Sequence, residues 1–319
     1  MHRAKQNDLI SWTGKILFLA LFGMPVLGMA QTTPAIPETE PAEDLSLDRF
    51  ALELSNPATY LRRLAWDIEY TTFRGDLPGS ENQDGLKNIF KTSWPLRLKT
   101  GKNLLLSATI PVFSDQPTWN IPVQRHHAEF RIRQTEDIQA EQGFFFYGHD
   151  HLADIRIDLA YIGEGKNGVI RTLGLAAVFP TSEDKSAARR QTLLGPEIAL
   201  GRITNWGLYG ATVKHLTNVN DPAEWDTNES TMEIWFAYAL GNGWQIESSP
   251  EILYDWEAVS GNEWTVPIEA AVSKTIKLGQ TPVKLALGIQ KNIVTPDRFG
   301  PDWRVILSFT PVLSTKLLR

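Results

Sequence analysis

One feature narrows the folds open to this chain more than any other: its apolar residues recur at every second position, and helical periodicity of any length is missing. In 153–161, Ile155, Ile157, Leu159 and Tyr161 fall on one face and Asp154, Arg156 and Asp158 on the other. In 283–290, Val283, Leu285, Leu287 and Ile289 oppose Lys284, Ala286, Gly288 and Gln290. In 303–310, Trp303, Val305, Leu307 and Phe309 oppose Arg304, Ser308 and Thr310, with Ile306 out of pattern. Twelve such runs centre near residues 69, 92, 108, 157, 174, 198, 211, 235, 249, 269, 287 and 307. Each has about ten residues, the length a tilted strand needs to cross a hydrocarbon layer.

The connections sort by length as well. Those over 74–85, 114–150, 180–191 and 217–229 are long; 255–262 is medium and 292–300 somewhat longer. Between them fall short ones: Thr100-Gly101-Lys102, 163–168, Thr204-Asn205, Gly241-Asn242-Gly243 and Gly279-Gln280. Short periplasmic turns alternating with longer external loops mark bacterial outer-membrane barrels. A secreted sandwich has no reason to sort its loops this way, and no fixed-length repeat points to a solenoid. The expected fold is therefore all-β, a transmembrane antiparallel barrel of about 12 strands. Ten of the 11 Trp residues lie beyond the first thirty positions, as aromatic girdles at two membrane interfaces require.

The start of the chain predicts export. His2, Arg3, Lys5 and Lys15 precede an apolar run over 16–30 ending Leu27-Gly28-Met29-Ala30, the build of a cleavable signal peptide. Residues 31–58 are rich in Pro and Glu and predict a flexible periplasmic leader, with a short helix possible over 45–54; 59–319 make the barrel. The formal charge is −6, and cleavage after Ala30 removes three basic residues and Asp8, leaving about −8. No basic stripe remains to meet a phosphate backbone, so nucleic acid is not an expected partner. The absence of cysteine removes thiolate nucleophiles and Cys-based metal sites, and with them any disulfide staple.

Several stretches carry a resemblance to a known group. They are Ser55-Asn56-Pro57 with AWDIEYTTFRGDLPGSENQ (65–83), then DIRIDLAY (154–161), LGPEIALG (194–201) and WGLYGATVKH (206–215). The most specific is GWQIESSPEILYDWEAVSGNEWTVPI (243–268), followed by KLGQTPVKLALGIQKN (277–292) and GPDWRVILSF (300–309). This text resembles the transporter-like outer-membrane proteins grouped with the phenol-degradation meta-pathway proteins, and spans the mature chain except 114–149. The resemblance implies a barrel passing small, often aromatic, molecules across the outer membrane. One departure is the end. Barrels of this class often finish on an aromatic residue, whereas here TPVLSTKLLR follows Phe309, as an unusual strand end near Leu313 or as a short tail.

The inward parity collects Asp67, Glu69, Asp154, Asp158, Glu197, Glu233, Glu247, Glu251 and Glu269, with Lys91, Arg97, Arg156, Lys214, Lys284 and Arg304. Nine carboxylates against six cations suggest a mild cation preference in a largely filled lumen. The expected function is an outer-membrane channel or transporter for small aromatic or hydrophobic molecules, without catalysis, metal or cofactor. Expected partners are outer-membrane lipids, the barrel-assembly machinery and a small-molecule solute. The alternatives are a structural barrel without transport and a lipid hydrolase. For the latter, His215-Leu216-Thr217-Asn218 would supply base and nucleophile, with Thr217 where such enzymes use serine. His126-His127 and His149-Asp150-His151 offer at most a weak zinc site, and Phe144-Phe145-Phe146-Tyr147 reads as girdle or loop lid.

Overall fold

The computed structural model describes residues 46–98, 103–120, 144–163, 168–182, 191–219 and 226–313. The signal peptide expected over 1–30, the first part of the leader and His126-His127 lie outside these residues. One helix precedes the strands, α1 (Leu47–Ser55). The strands are β1 (Arg63–Arg74), β2 (Asp84–Arg97), β3 (Asn103–Asn120), β4 (Phe144–Leu152), β5 (Ile155–Ile162), β6 (Val169–Phe179), β7 (Leu193–Ile203) and β8 (Gly207–Asn218). They continue with β9 (Asn228–Gly241), β10 (Trp244–Ser248), β11 (Glu251–Asp255), β12 (Trp264–Leu278), β13 (Thr281–Val294) and β14 (Gly300–Pro311).

Two of these staves are split. β4 and β5 lie end to end against β3, and β10 and β11 lie end to end between β9 and β12. The result is a closed antiparallel barrel of 12 staves, as expected. Each of the twelve sequence runs sits within one stave. Closure is direct: β14 pairs with β1, with Trp66 opposite Phe309, Ile68 opposite Leu307 and Tyr70 opposite Val305. One rim carries the short connections and will be called the turn end; the other is the loop end. At the turn end, Asn242 and Gly243 both take positive φ (54° and 79°), the mirror-image turn whose twist matches a two-residue hairpin.

The alternation decides which side chains are buried. Outward Leu173, Leu175, Leu200, Leu287 and Leu307 are all exposed, and Leu287 is 51% so. Their inward neighbours are covered by the rest of the barrel. Aromatic residues cluster outward near both rims. Trp206 stacks with Tyr209 and Tyr238 by the turn end, while Tyr254 packs edge-on to Trp256 and Trp264 by the loop end. Among the described residues no helix is long and apolar enough to cross a membrane; strands form the apolar band instead.

Two expectations about the connections and leader are corrected. The connection read as 114–150 is shorter, because β3 runs to Asn120 and β4 begins at Phe144. Asp115-Gln116-Pro117 is polar and holds a proline, so it looks like a loop. It pairs as strand because His149, Gly148 and Tyr147 of β4 lie opposite. The leader is not flexible up to residue 58. Ser46 caps α1 by accepting from Arg49 N–H (3.2 Å), and Phe50, Ala51, Leu52 and Leu54 are buried. The short helix read over 45–54 is present as Leu47–Ser55, and its apolar face is buried inside the barrel.

Candidate functional site

The lumen has two unlike halves. At the turn end it is filled. Leu52 of α1 packs with Leu105, Ile162, Ile170, Ile203, Leu208 and Trp235, inward residues from six strands around the wall. The Trp235 ring lies against Gly201 and Gly210, which face each other across β7 and β8. A Cβ on either would collide with the ring, so glycine is required by this close approach. Phe50 and Leu54 pack on Leu61 and Val312.

Polar contacts hold α1 against the opposite side. Lys284 donates to Ser55 Oγ (2.8 Å), Ser55 donates to Glu247 (2.8 Å), and Lys284 also pairs directly with Glu247. Asp48 accepts from Gly243 N–H in the hairpin turn. The Ser55-Asn56-Pro57 stretch then reverses the chain. Asn56 accepts from Ala58 N–H (2.9 Å), and Glu53 receives bonds from Asn56 and Thr59. Pro57 bars continuation of the helix.

Above this plug, towards the loop end, lies a cavity of about 490 Å³. Of the inward residues read from parity, Asp67, Glu69, Lys91, Asp154, Arg156 and Lys214 line it, as do Glu233, Glu247, Glu251, Glu269 and Arg304. Asp158 and Glu197 lie just behind, both bound by Lys214 (3.6 and 3.1 Å), and Arg156 adds a second bond to Asp158 (3.2 Å). Lys284 belongs to the α1 contact instead, and Arg97 is exposed at the end of β2. Ile306, out of pattern in the sequence, also faces this cavity. Parity reasoning overlooked Lys87, which shares the face of Lys91 and binds Glu69 (3.3 Å). Lys91 holds Asp67 at 2.8 Å, and Arg304 reaches Glu69 at 3.6 Å.

The charges are not spread evenly. Lys87, Lys91, Arg156, Lys214, Lys284 and Arg304 each have a carboxylate partner, from Asp67 and Glu69 on β1, Asp158 on β5, Glu197 on β7 or Glu247 on β10. On β9, β11 and β12 the carboxylates outnumber them. Glu233 and Glu251 are directly opposed on adjacent strands and neither forms a salt bridge among the described residues. Glu269 accepts from the N–H and Oγ of Ser249 instead of from a cation.

This is the interior of a known architecture. An outer membrane channel from Pseudomonas putida F1 superposes with a TM-score of 0.53 at 10% identity, over 81% of this chain and 99% of that one. The fold is that of an outer-membrane barrel. More distant are the NanC porin (TM-score 0.44, 9% identity, 78% of this chain and 99% of that one) and the Escherichia coli outer membrane phospholipase A. The latter gives 0.38 at 13% identity over 83% and 98%. No family model matches the sequence, and no curated protein does.

The residues singled out for other chemistry fall elsewhere on the barrel. His215 and Thr217 point outward from β8 near the loop end. His215 does not meet Thr217; its Nδ1 lies 2.9 Å from Ser230 Oγ on β9, and Ser230 also accepts from Trp256 Nε1 (2.9 Å). This pairing depends on β8–β9 register and leaves no local signal in the chain. His151 packs at a tilt on Phe113 (5.3 Å between centroids), and no group of three metal-ligating side chains occurs among the described residues. Phe145 packs at a tilt on Phe299 (4.8 Å between centroids), which meets Phe73 (5.0 Å), an aromatic cluster at the loop end.

Proposed function

We propose that this protein is an outer-membrane channel for small molecules, exported as a precursor, with the turn end periplasmic and the loop end external. The observation that carries this reading is a charge-lined cavity inside a wall whose outer surface is apolar. Charges of both signs facing a lumen keep water in contact with a path through the barrel, where a purely structural barrel would gain more from an apolar filling. The apolar band and its two aromatic borders suit outer-membrane lipid as the surrounding partner, and the barrel-assembly machinery as the route there. The resemblance to phenol-degradation meta-pathway proteins makes small aromatic solutes the first to try.

In this reading α1 is the obstacle in the path, and its removal from the lumen should open it. Leu52→Asp places a carboxylate in the apolar cluster and should release the helix. Single-channel recordings in planar bilayers are expected to show low conductance for the parent and a larger, steadier conductance for the variant. Equal conductance of the two would mean that α1 does not limit passage. His215→Ala should leave conductance unchanged, and purified protein should release no fatty acid from phospholipid. Release of fatty acid that depends on His215 would favour the hydrolase reading, with Ser230 as the hydroxyl partner.

A further inference from the structure

Two groups in the cavity stand outside the ion pairs described above. The first is an opposed pair of carboxylates. Glu233 on β9 and Glu251 on β11 are direct cross-strand partners, both line the cavity, and neither forms a salt bridge among the described residues. Side chains so placed start about 5 Å apart, where like charges repel unless a cation lies between them. The second is a buried donor. Asn292 on β13 is 1% exposed, lines the same cavity, and its Nδ2 has no acceptor among the described residues. A buried amide N–H without an acceptor is rare in folded proteins and marks a place for one. Register sets the spacing of the two groups. Glu247 faces Ala271 and Leu253 faces Thr265, which puts Glu251 level with Pro267, and Pro267 pairs with Asn292. Glu251 and Asn292 are thus two strand spacings apart, about 10 Å between backbones. Their side chains and a short solute span that distance together.

The wall across the lumen has the opposite character. Half a turn round the twelve staves, β2 lies across from β9, and β3 from the stave of β10 and β11. Ile89 and Phe113 line the cavity there and are buried, with Pro111 paired to Ile89. The cations on that side, Lys87 and Lys91, are held by Glu69 and Asp67. A cavity of about 490 Å³ therefore combines an acidic edge, a donor in want of an acceptor and an apolar back. That is the size and make-up of a small-molecule site.

We propose that this cavity binds a primary organic ammonium with an apolar body and an oxygen acceptor beside the charge. The ammonium bridges Glu233 and Glu251, the oxygen accepts from Asn292 Nδ2, and the apolar body rests against Phe113 and Ile89. The inference rests on the channel reading for how the solute arrives, and it narrows the solute class. An inorganic cation suits the site less. Calcium needs about six to eight oxygens, and two carboxylates beside an apolar wall leave most of them to water. A neutral aromatic leaves both carboxylates without a counter-charge, and an anion meets them directly.

The probe is L-phenylalaninol, which carries an ammonium, a hydroxyl on the adjacent carbon and a phenyl ring. 3-Phenylpropan-1-ol is the same molecule without the ammonium. Each is titrated calorimetrically at neutral pH into the full chain in detergent micelles, with micelles alone subtracted. The parent is expected to bind phenylalaninol about tenfold more tightly, the size of one charge-assisted hydrogen bond. Glu233→Gln with Glu251→Gln should bring the two to equal affinity. Asn292→Ala should weaken phenylalaninol about fivefold more than 2-phenylethylamine, which lacks the hydroxyl. Equal affinity of the parent for the ammonium and the alcohol overturns the site without any variant having to fold. So does phenylalaninol binding that survives the double substitution, or that equimolar potassium or calcium displaces. Potassium conductance in planar bilayers separates the site from the channel. Conductance without phenylalaninol binding overturns the site and leaves the channel standing. Binding without conductance, in the parent and in Leu52→Asp alike, supports the site and overturns the channel.

Discussion

The wall from β5 to β8 and the wall from β9 to β12 come from the same alternating pattern, yet they are built to different tolerances. In the first, Lys214 serves both Asp158 and Glu197, and Arg156 adds to Asp158. Its ladder skips only Gly195 and Pro196 before resuming at Glu197 and Lys214. In the second, Glu233 and Glu251 face each other without a cation, and the ladder is open for five residues. A single proline in a ladder is absorbed when its neighbours keep their rungs. Pro267 is not absorbed, because the next rung, Ser249 with Glu269, has turned to side-chain bonds. One wall spends its charges on rigidity, and the other keeps carboxylates open to the cavity.

The sharpest way to break this comparison is to remove the shared cation. Lys214→Met leaves buried Glu197 without its cation and Asp158 with Arg156 alone, and should lower stability by about 3–5 kcal/mol in urea titrations of vesicle-refolded protein. Glu233→Gln, in the open wall, should stay within about 0.5 kcal/mol of the parent. Similar losses for both would erase the distinction. The outer surface gives the next largest effect. Leu287→Arg near the middle of the apolar band should destabilise by about 2–4 kcal/mol. Ile268→Arg beside the gap should be milder, because its guanidinium can reach the cavity; the same titration with equal losses would speak for a sealed wall.

A smaller effect has the opposite sign. Pro267→Ala should stabilise by about 0.5–1.5 kcal/mol if the restored N–H finds the Glu251 carbonyl. Amide exchange at residue 267 checks this directly: a fast-exchanging amide would show that the rung does not form. Smallest in stability, but specific in readout, is Glu233→Gln combined with Glu251→Gln. Reversal potentials under a salt gradient should shift towards reduced cation preference while unfolding midpoints hold. The shift should shrink at high salt, where charges farther apart than about 8–10 Å are screened.

The twelve staves were legible because alternation and turn chemistry agree along the chain: Ile155, Ile157 and Leu159 declare a face, and Asn242-Gly243 declares a hairpin. The lumen residues followed from the same parity, as Asp67 and Lys91 illustrate. What escaped depends on partners far away in sequence. Asp115-Gln116-Pro117 is strand only because β4 lies beside it. Leu52 is buried only because six strands surround it. Ser230 meets His215 only through the register of two neighbouring strands. The gap at Pro267 is likewise silent in the sequence, since Pro196 interrupts a ladder far less.

The placement of α1 also bears on how the protein is assembled. Its residues Phe50 and Leu54 rest on Leu61 and on Val312, which lies just past the last strand and bridges to Arg63 at the β1–β14 seam. Leu313 N–H reaches back to the Arg62 carbonyl (2.8 Å), and Arg63 donates to the Leu54 carbonyl. The landing site for the first helix is therefore made partly from the final stave. Contacts that join the two ends of a chain form late, because the longest loop must close before they are rewarded. The helix cannot seat fully until the ring is shut, so its docking is the closing step of folding and marks a barrel whose seam has been sewn.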